Sequence, residues 1–351
     1  MSNIDPQVAP RPFFADRVAP MLNDERDASM VALMLQCGLV AALGIALFFV
    51  RAPYIYWAAP LYWLALSQVM DRYTLLLHCT SHRRLFKTQH DGLNNVIPHF
   101  LAPFFGQTPN TYFAHHMGMH HKEENLAADL SSTIRFERSR FGHWLRYWGR
   151  FMSIGVFELT GYFASRNQKK LVRRVIVGEV IYWTSLALLT WWNPLAALVV
   201  LISPLLGIRT AMMMGNWAQH SFVCQEQPEN PYRSSITCIN TRYNRRCFND
   251  GYHILHHIKP RAHWTEHPTE FEKNRAEYGR HDAIVFDGID FFQVWVLLMV
   301  GKWNTLAKHF VQLPNAPQRS QEEIVAFLKE RTRPLSAEKQ QQVAGDVSVA
   351  A

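Results

Sequence analysis

The sequence predicts an all-α integral membrane protein: four transmembrane helices in two hairpins, with a cytoplasmic helical cap carrying the clustered histidines. Three observations lead there. Long apolar blocks alternate with very polar stretches, and the blocks pair across very short turns. Lys and Arg gather in the long polar segments rather than in those turns, which by the positive-inside rule puts the polar segments and both termini on the cytoplasmic side.

Residues 1–29 form a cytoplasmic tail. Prolines and acids stand where a signal peptide needs a basic start and an apolar run, and the segment turns helical or interfacial near Phe13 and Phe14. The first block, Met30 to Val50, holds no charge and is long enough to span. Arg51 and Pro53 break it. The second opens at Tyr54 with Tyr54, Tyr56 and Trp57 as an interfacial aromatic belt and runs on through "RYTLLLH". The third covers roughly Val175 to Trp192, and the fourth, "PLAALVVLISPLLGIRTAMMMGNW", follows after Asn193 alone. Two shorter apolar stretches, near 94–106 and 288–303, suit interfacial or re-entrant helices. The membrane domain is thus expected over residues 30–310. Residues 311–351 are a polar tail in which "SQEEIVAFLKERT" is amphipathic and the end, from Ala337, is disordered.

The formal charge of +8 comes with no zinc-finger spacing, RNP-like stretch or helix-turn-helix, so a nucleic-acid partner is not expected and membrane lipids are. Five cysteines form no CxxC and are odd in number, which speaks for packing residues rather than a disulfide framework.

Seventeen histidines are present, and nine fall into clusters beside the apolar blocks. His78 and His82 are spaced i, i+4 at the end of the second block, on one face of a helix. In "FAHHMGMHH", His116 and His120 repeat that spacing, with His121 about 100° further round and His115 about 100° the other way, a neighbour rather than a ligand. His253, His256 and His257 share a helical face before Pro260, and His220, one turn after Asn216, ends the fourth block. Nine imidazoles are too many for one ion and suit two. A nitrogen donor set suits iron, zinc, copper or nickel. The absence of HExxH and of cysteine from every cluster leaves iron ahead of zinc, as a pair of ions activating oxygen.

HxxxH, HxxxHH and HxxHH resemble the three histidine boxes of membrane fatty acid desaturases, and Asn216–His220 looks like the additional ligand segment before the third box. The resemblance runs from about Met30 to Trp303. It implies two non-haem irons held by His78, His82, His116, His120, His121, His220, His253, His256 and His257, with Asn216 ligating directly or through water. It further implies O2 as co-substrate and a fatty acyl substrate linked to coenzyme A, a carrier protein or a lipid. No HPGG-type cytochrome b5 segment is present, so electrons come from a separate ferredoxin or cytochrome b5-type donor with its reductase.

Around the boxes, Asp71, Glu123, Glu124, Asp129 and Asp250 are placed to orient imidazoles, or to cap helices and meet solvent. Met117, Gly118, Met119 and Met212–Met214 are placed to line an acyl tunnel or to pack helices. Arg83, Arg84, Lys87, Arg245 and Arg246 read as positive-inside residues before phosphate binders. The expected reaction is acyl desaturation. The same site would also serve hydroxylation of a lipid, alkane or carotenoid. A non-enzymatic metal or haem carrier would place its histidines within the spans, whereas these sit at their ends.

Overall fold

The computed structural model of the chain describes residues 11–336 and 338–340. The expected disordered end lies outside them apart from 338–340. The elements on which the site depends are, in chain order, α1 (Ala28–Leu47), α2 (Ala52–Ser67), α3 (Met70–His82), α4 (Phe141–Ser165), α5 (Lys169–Trp192), α6 (Ser203–Gln219), strand β1 (Ile236–Ile239), α7 (His253–Ile258) and strand β2 (Ile284–Asp287). The described residues fall into two compact units, one of residues 11–118 and 156–212, the other of 119–155 and 213–340.

Three helices among the described residues are long and apolar enough to cross a membrane: Glu25–Leu47, Lys169–Trp192 and Pro194–Gln219. Their outward side chains, among them Leu39, Val180, Leu188 and Trp191, are large and apolar, a surface that suits lipid and not water. The expected second span differs. The chain leaves α2 after 16 residues, turns at Gln68–Val69 and restarts as α3, so His78 is not reached by one continuous helix from Tyr54. The break falls where Asp71 and Arg72 enter the sequence. Asp71 Oδ1 accepts the backbone N–H of Arg72, and the guanidinium of Arg72 returns to the carbonyl of Gln68 at 2.7 Å.

The short hairpin turns are tied together. Asn193 Nδ2 donates to the carbonyl of Phe48 at 3.2 Å, while its Oδ1 caps Ala196 and Phe48 stacks on Trp192. The last span is not uniformly α-helical: Leu198–Ile202 forms a π turn. Pro204 explains its place, because a proline two residues into α6 has no N–H to give to Val200 and crowds that carbonyl. Ser203 N–H bonds Leu198 instead, and the freed carbonyl of Val199 accepts from Ser203 Oγ and from Trp63 Nε1 at 3.2 Å. The apolar stretch near 94–106 is not one helix but a π turn (Val96–Leu101) followed by a 3-10 turn (Ala102–Phe105). Tyr73 holds it from α3 by donating to the carbonyl of Ile97 and stacking on Phe105.

The second unit departs from an all-α reading. β1 and β2 pair in parallel, Ile236 opposite Ile284 through Ile239 opposite Asp287. Two four-residue strands are viable here because both faces are buried. Ile236, Cys238, Ile284 and Phe286 point into a core shared with Phe222, Leu298, Leu306 and Leu328. Ile239 and Val285 point into another with Tyr252, Leu255, Phe271 and Tyr278. The pair thereby fixes α7 from one side.

The helix Gln321–Arg331, opened by the Ser320–Glu323 capping box, packs Leu328 fully into the first of these cores although its composition reads as tail. The fully buried Arg138 then binds the chain end. Its guanidinium donates to the carbonyls of Arg331 at 2.9 Å, Arg333 at 2.6 Å, Ser221 at 2.9 Å, and Thr133, Ile134 and Phe136. These carbonyl dipoles and, more weakly, the carboxylates of Glu137 and Glu330 balance the charge, while burial pushes its pKa down to about 9. Arg138→Met removes a shared donor from six backbone carbonyls, of which those of Arg331, Arg333, Thr133 and Ile134 keep another donor. The expected cost is about 3 kcal/mol or more, read as a lowered melting midpoint in detergent, whereas Arg→Met at the exposed Arg173 should leave the midpoint unchanged.

Candidate metal centre

Each histidine box is delivered by a different local structure. α3 carries His78 and His82 on its last turn, and α7 carries His253, His256 and His257, all buried. α7 is oriented from β1: Asn244 Nδ2 donates to the carbonyl of Cys238, and Asn244 Oδ1 accepts the N–H of Gly251 two residues before the box. His220 follows directly on α6.

The middle box is not α-helical throughout. An α turn, Thr111–His115, passes into a π turn, His116–His120. The extra residue per turn corrects the expectation that His116 and His120 share a face. His116 groups with the first box: its Nε2 lies 2.9 Å from His82 Nε2, with its ring 4.6 Å from that of His78. His120 groups with His220 and His257, the ligand nitrogens of the three lying within 4.8 Å of one another. His115 belongs to neither group.

The third box divides in the same way. His256 Nε2 meets His121 Nε2 at 2.9 Å, while His257 Nε2 is 3.1 Å from His253 Nε2, which in turn is 3.3 Å from His220 Nε2. One helical face therefore serves two sets of partners.

The outer nitrogens determine what the inner ones can do. His220 Nδ1 lies 3.0 Å from the carbonyl of Ser234, which only accepts, so Nδ1 carries the proton and Nε2 presents a lone pair inward. His120 Nδ1 donates in the same manner to Asp129 Oδ2 at 2.7 Å. Asp129 is fully buried and is itself held by the N–H of Asn125, the N–H of Ser131 and the hydroxyl of Ser131. Burial, then the neighbouring His120, pushes His220 down to about 3. Burial and the surrounding imidazoles hold His257 well below the usual histidine range. These rings are neutral at neutral pH.

The inward lone pairs on His120 and His220 face the ring of His257, an arrangement that a cation can bridge. The nitrogen-only donor set fits a borderline transition metal, and the Asp129–His120 pair is the carboxylate–histidine arrangement that tunes such ligands. Asn216 Nδ2 donates to Tyr147 Oη at 2.7 Å and to the carbonyl of Ser131, which leaves its Oδ1 as the atom it can offer.

Among the acids expected to orient imidazoles, Asp129 reaches a ring nitrogen. Asp250 instead accepts from Tyr243 Oη and Gln219 Nε2, and Asp71 caps the backbone of Arg72. Gln107 Nε2 reaches the sulfur of Met212 at 3.8 Å, and Gly118 lies against Phe163, both packing contacts within the first unit. Ser131, Tyr147 and the carbonyl of Ser234 were not legible as supporting groups. The sequence "DLSS" does carry the signal of an Asp that bonds its own downstream backbone, but nothing marks a carbonyl at Ser234.

The model of the fatty acid desaturase family matches residues 51–288, about two thirds of the chain, and the chain belongs to that family. No curated protein and no solved structure matches it. Membership makes it a membrane oxidoreductase of lipid chemistry with histidine clusters that could hold a metal, in a family that is generally iron-dependent.

Two outcomes follow. Asp129→Asn should weaken metal binding about 10–100-fold, measured by competition with a chromogenic chelator. His115→Ala should keep the wild-type metal content, and His120→Ala should lose metal, both read by elemental analysis of the purified protein.

Proposed function

We propose that this protein introduces a carbon–carbon double bond into a fatty acyl chain, using O2 and electrons from a separate donor, at a pair of irons held by the nine box histidines and Asn216. The observation that carries this reading is the convergence of the ring nitrogens of His120, His220 and His257, with the outer nitrogens of His120 and His220 held by Asp129 and the Ser234 carbonyl, in a member of the desaturase family. Bound there, the irons supply the activation of O2.

The balance is simple. Two adjacent methylenes give up two hydrogens, the donor adds two electrons with two protons, and O2 leaves as two molecules of water. The chain's own residues position and insulate. Asp129 and the Ser234 carbonyl fix the tautomers of His120 and His220. Tyr147 turns the Asn216 amide. The burial of His120, His220, His253 and His257 keeps bulk water from the reacting centre. The apolar surface of the candidate spans supports a membrane setting, where an acyl chain is at hand, with the boxes on the cytoplasmic side in this reading.

The test is expression in a lipid-producing host together with a matched ferredoxin or cytochrome b5 and its reductase, followed by mass spectrometry of the lipids. A new species two hydrogens lighter than an acyl precursor, absent with His256→Ala, is expected. A species heavier by one oxygen would make the enzyme a hydroxylase. Identical lipids from wild type and variant, with iron bound and the donor present, would overturn both.

A further inference from the structure

Glu179 in α5 and Arg209 in α6 are charged side chains buried well inside the candidate spans. Charges at such positions are expensive and are kept for a purpose. Here both turn to one loop, residues 106–110. Glu179 Oε1 accepts from the hydroxyls of Thr108 and, at 2.6 Å, Thr111, while Oε2 accepts from Trp183 Nε1 at 2.9 Å. Arg209 Nε donates to the carbonyl of Gly106 at 2.8 Å, and its Nη2 to Thr108 Oγ1 at 3.4 Å. Thr108 thus joins carboxylate to guanidinium.

The backbone is clamped as closely. A Cβ on Gly178 would lie 1.9 Å from the carbonyl oxygen of Pro109, and one on Gly106, whose φ is +70°, would lie 2.4 Å from that of Pro204. The loop therefore sits against α5 and α6 where no side chain fits between. It leads straight into the Thr111–His115 turn, so Glu179 also places a carboxylate at the start of the segment that carries His116.

We propose that Glu179 and Arg209 are positioning residues for His116. By anchoring residues 106–111 to the two spans, they set where His116 Nε2 stands against His78 and His82. The inference rests on the two-iron reading above and extends it to residues outside the boxes. It separates the metals: losing the anchor should empty the position served by His78, His82 and His116 and spare the one served by His120, His220 and His257. A merely structural role would lower both together or neither.

The test measures iron per chain and the electron paramagnetic resonance of the ferric protein. The double variant Glu179→Leu with Arg209→Met replaces a buried charged pair by apolar groups of similar size, a change that proteins often tolerate. Its iron content should fall to about half the wild-type value, and the resonance of an isolated ferric ion should replace the silence of a coupled pair. The milder Thr108→Val with Thr111→Val keeps shape and both charges and removes the two hydroxyls on Glu179, one of which is also the acceptor of Arg209 Nη2. It should weaken that one metal by about tenfold or more. Full iron and an unchanged spectrum in either variant, with the protein folded, would overturn the proposal. Equal loss of both irons would do so as well. If wild type itself bound no iron, the two-iron reading would fail instead.

Discussion

An imidazole can bind a metal only through a lone pair, and in a buried cluster every ring must be told which of its nitrogens carries the proton. Much of the second unit answers that demand. His120 is instructed by Asp129, and Asp129 is immobilised by Asn125 and Ser131. His220 is instructed by the Ser234 carbonyl, which stands in the helical turn Pro231–Ser234 just before β1. β1 in turn fixes the loop that opens α7. The two short strands, an unexpected element in a helical protein, are a brace between the ligand segments.

The two units meet the problem of internal polarity in opposite ways. In the first, side chains do the work: an acid, a base and two threonines fasten one loop inside apolar surroundings. In the second, a lone guanidinium collects backbone carbonyls from segments far apart in sequence. Each device avoids an unsatisfied polar group, which is the costly alternative in a low-dielectric interior.

What was legible in the sequence divides along physical lines. Met30–Val50 and the blocks flanking Asn193 declare themselves because a bilayer demands a long uncharged run. The histidine clusters declare themselves because ligand spacing repeats the helical period. The break at Gln68–Val69 was marked only by Asp71 and Arg72, two charges after a long apolar stretch. The π turn at His116–His120 was hidden, since composition does not encode which carbonyl an N–H selects. Consequently the residues of the middle box could be named but not their partners. Ile236–Ile239 and Ile284–Asp287 were lost inside polar segments because a run of four residues is too short to show a period. The amphipathic Gln321–Arg331 was visible as a helix, yet its docking depends on Arg138, 193 residues before the end of that helix.

That separation has a consequence for biogenesis. The carbonyls of Ser221, Arg331 and Arg333 belong to segments that leave the ribosome long after Arg138. A nascent chain that has already made His120, His220 and His257 still holds a guanidinium with two of its six acceptors, the carbonyls of Arg331 and Arg333, missing. The second unit therefore gains the last carbonyls that hold Arg138 only once synthesis has passed Arg333.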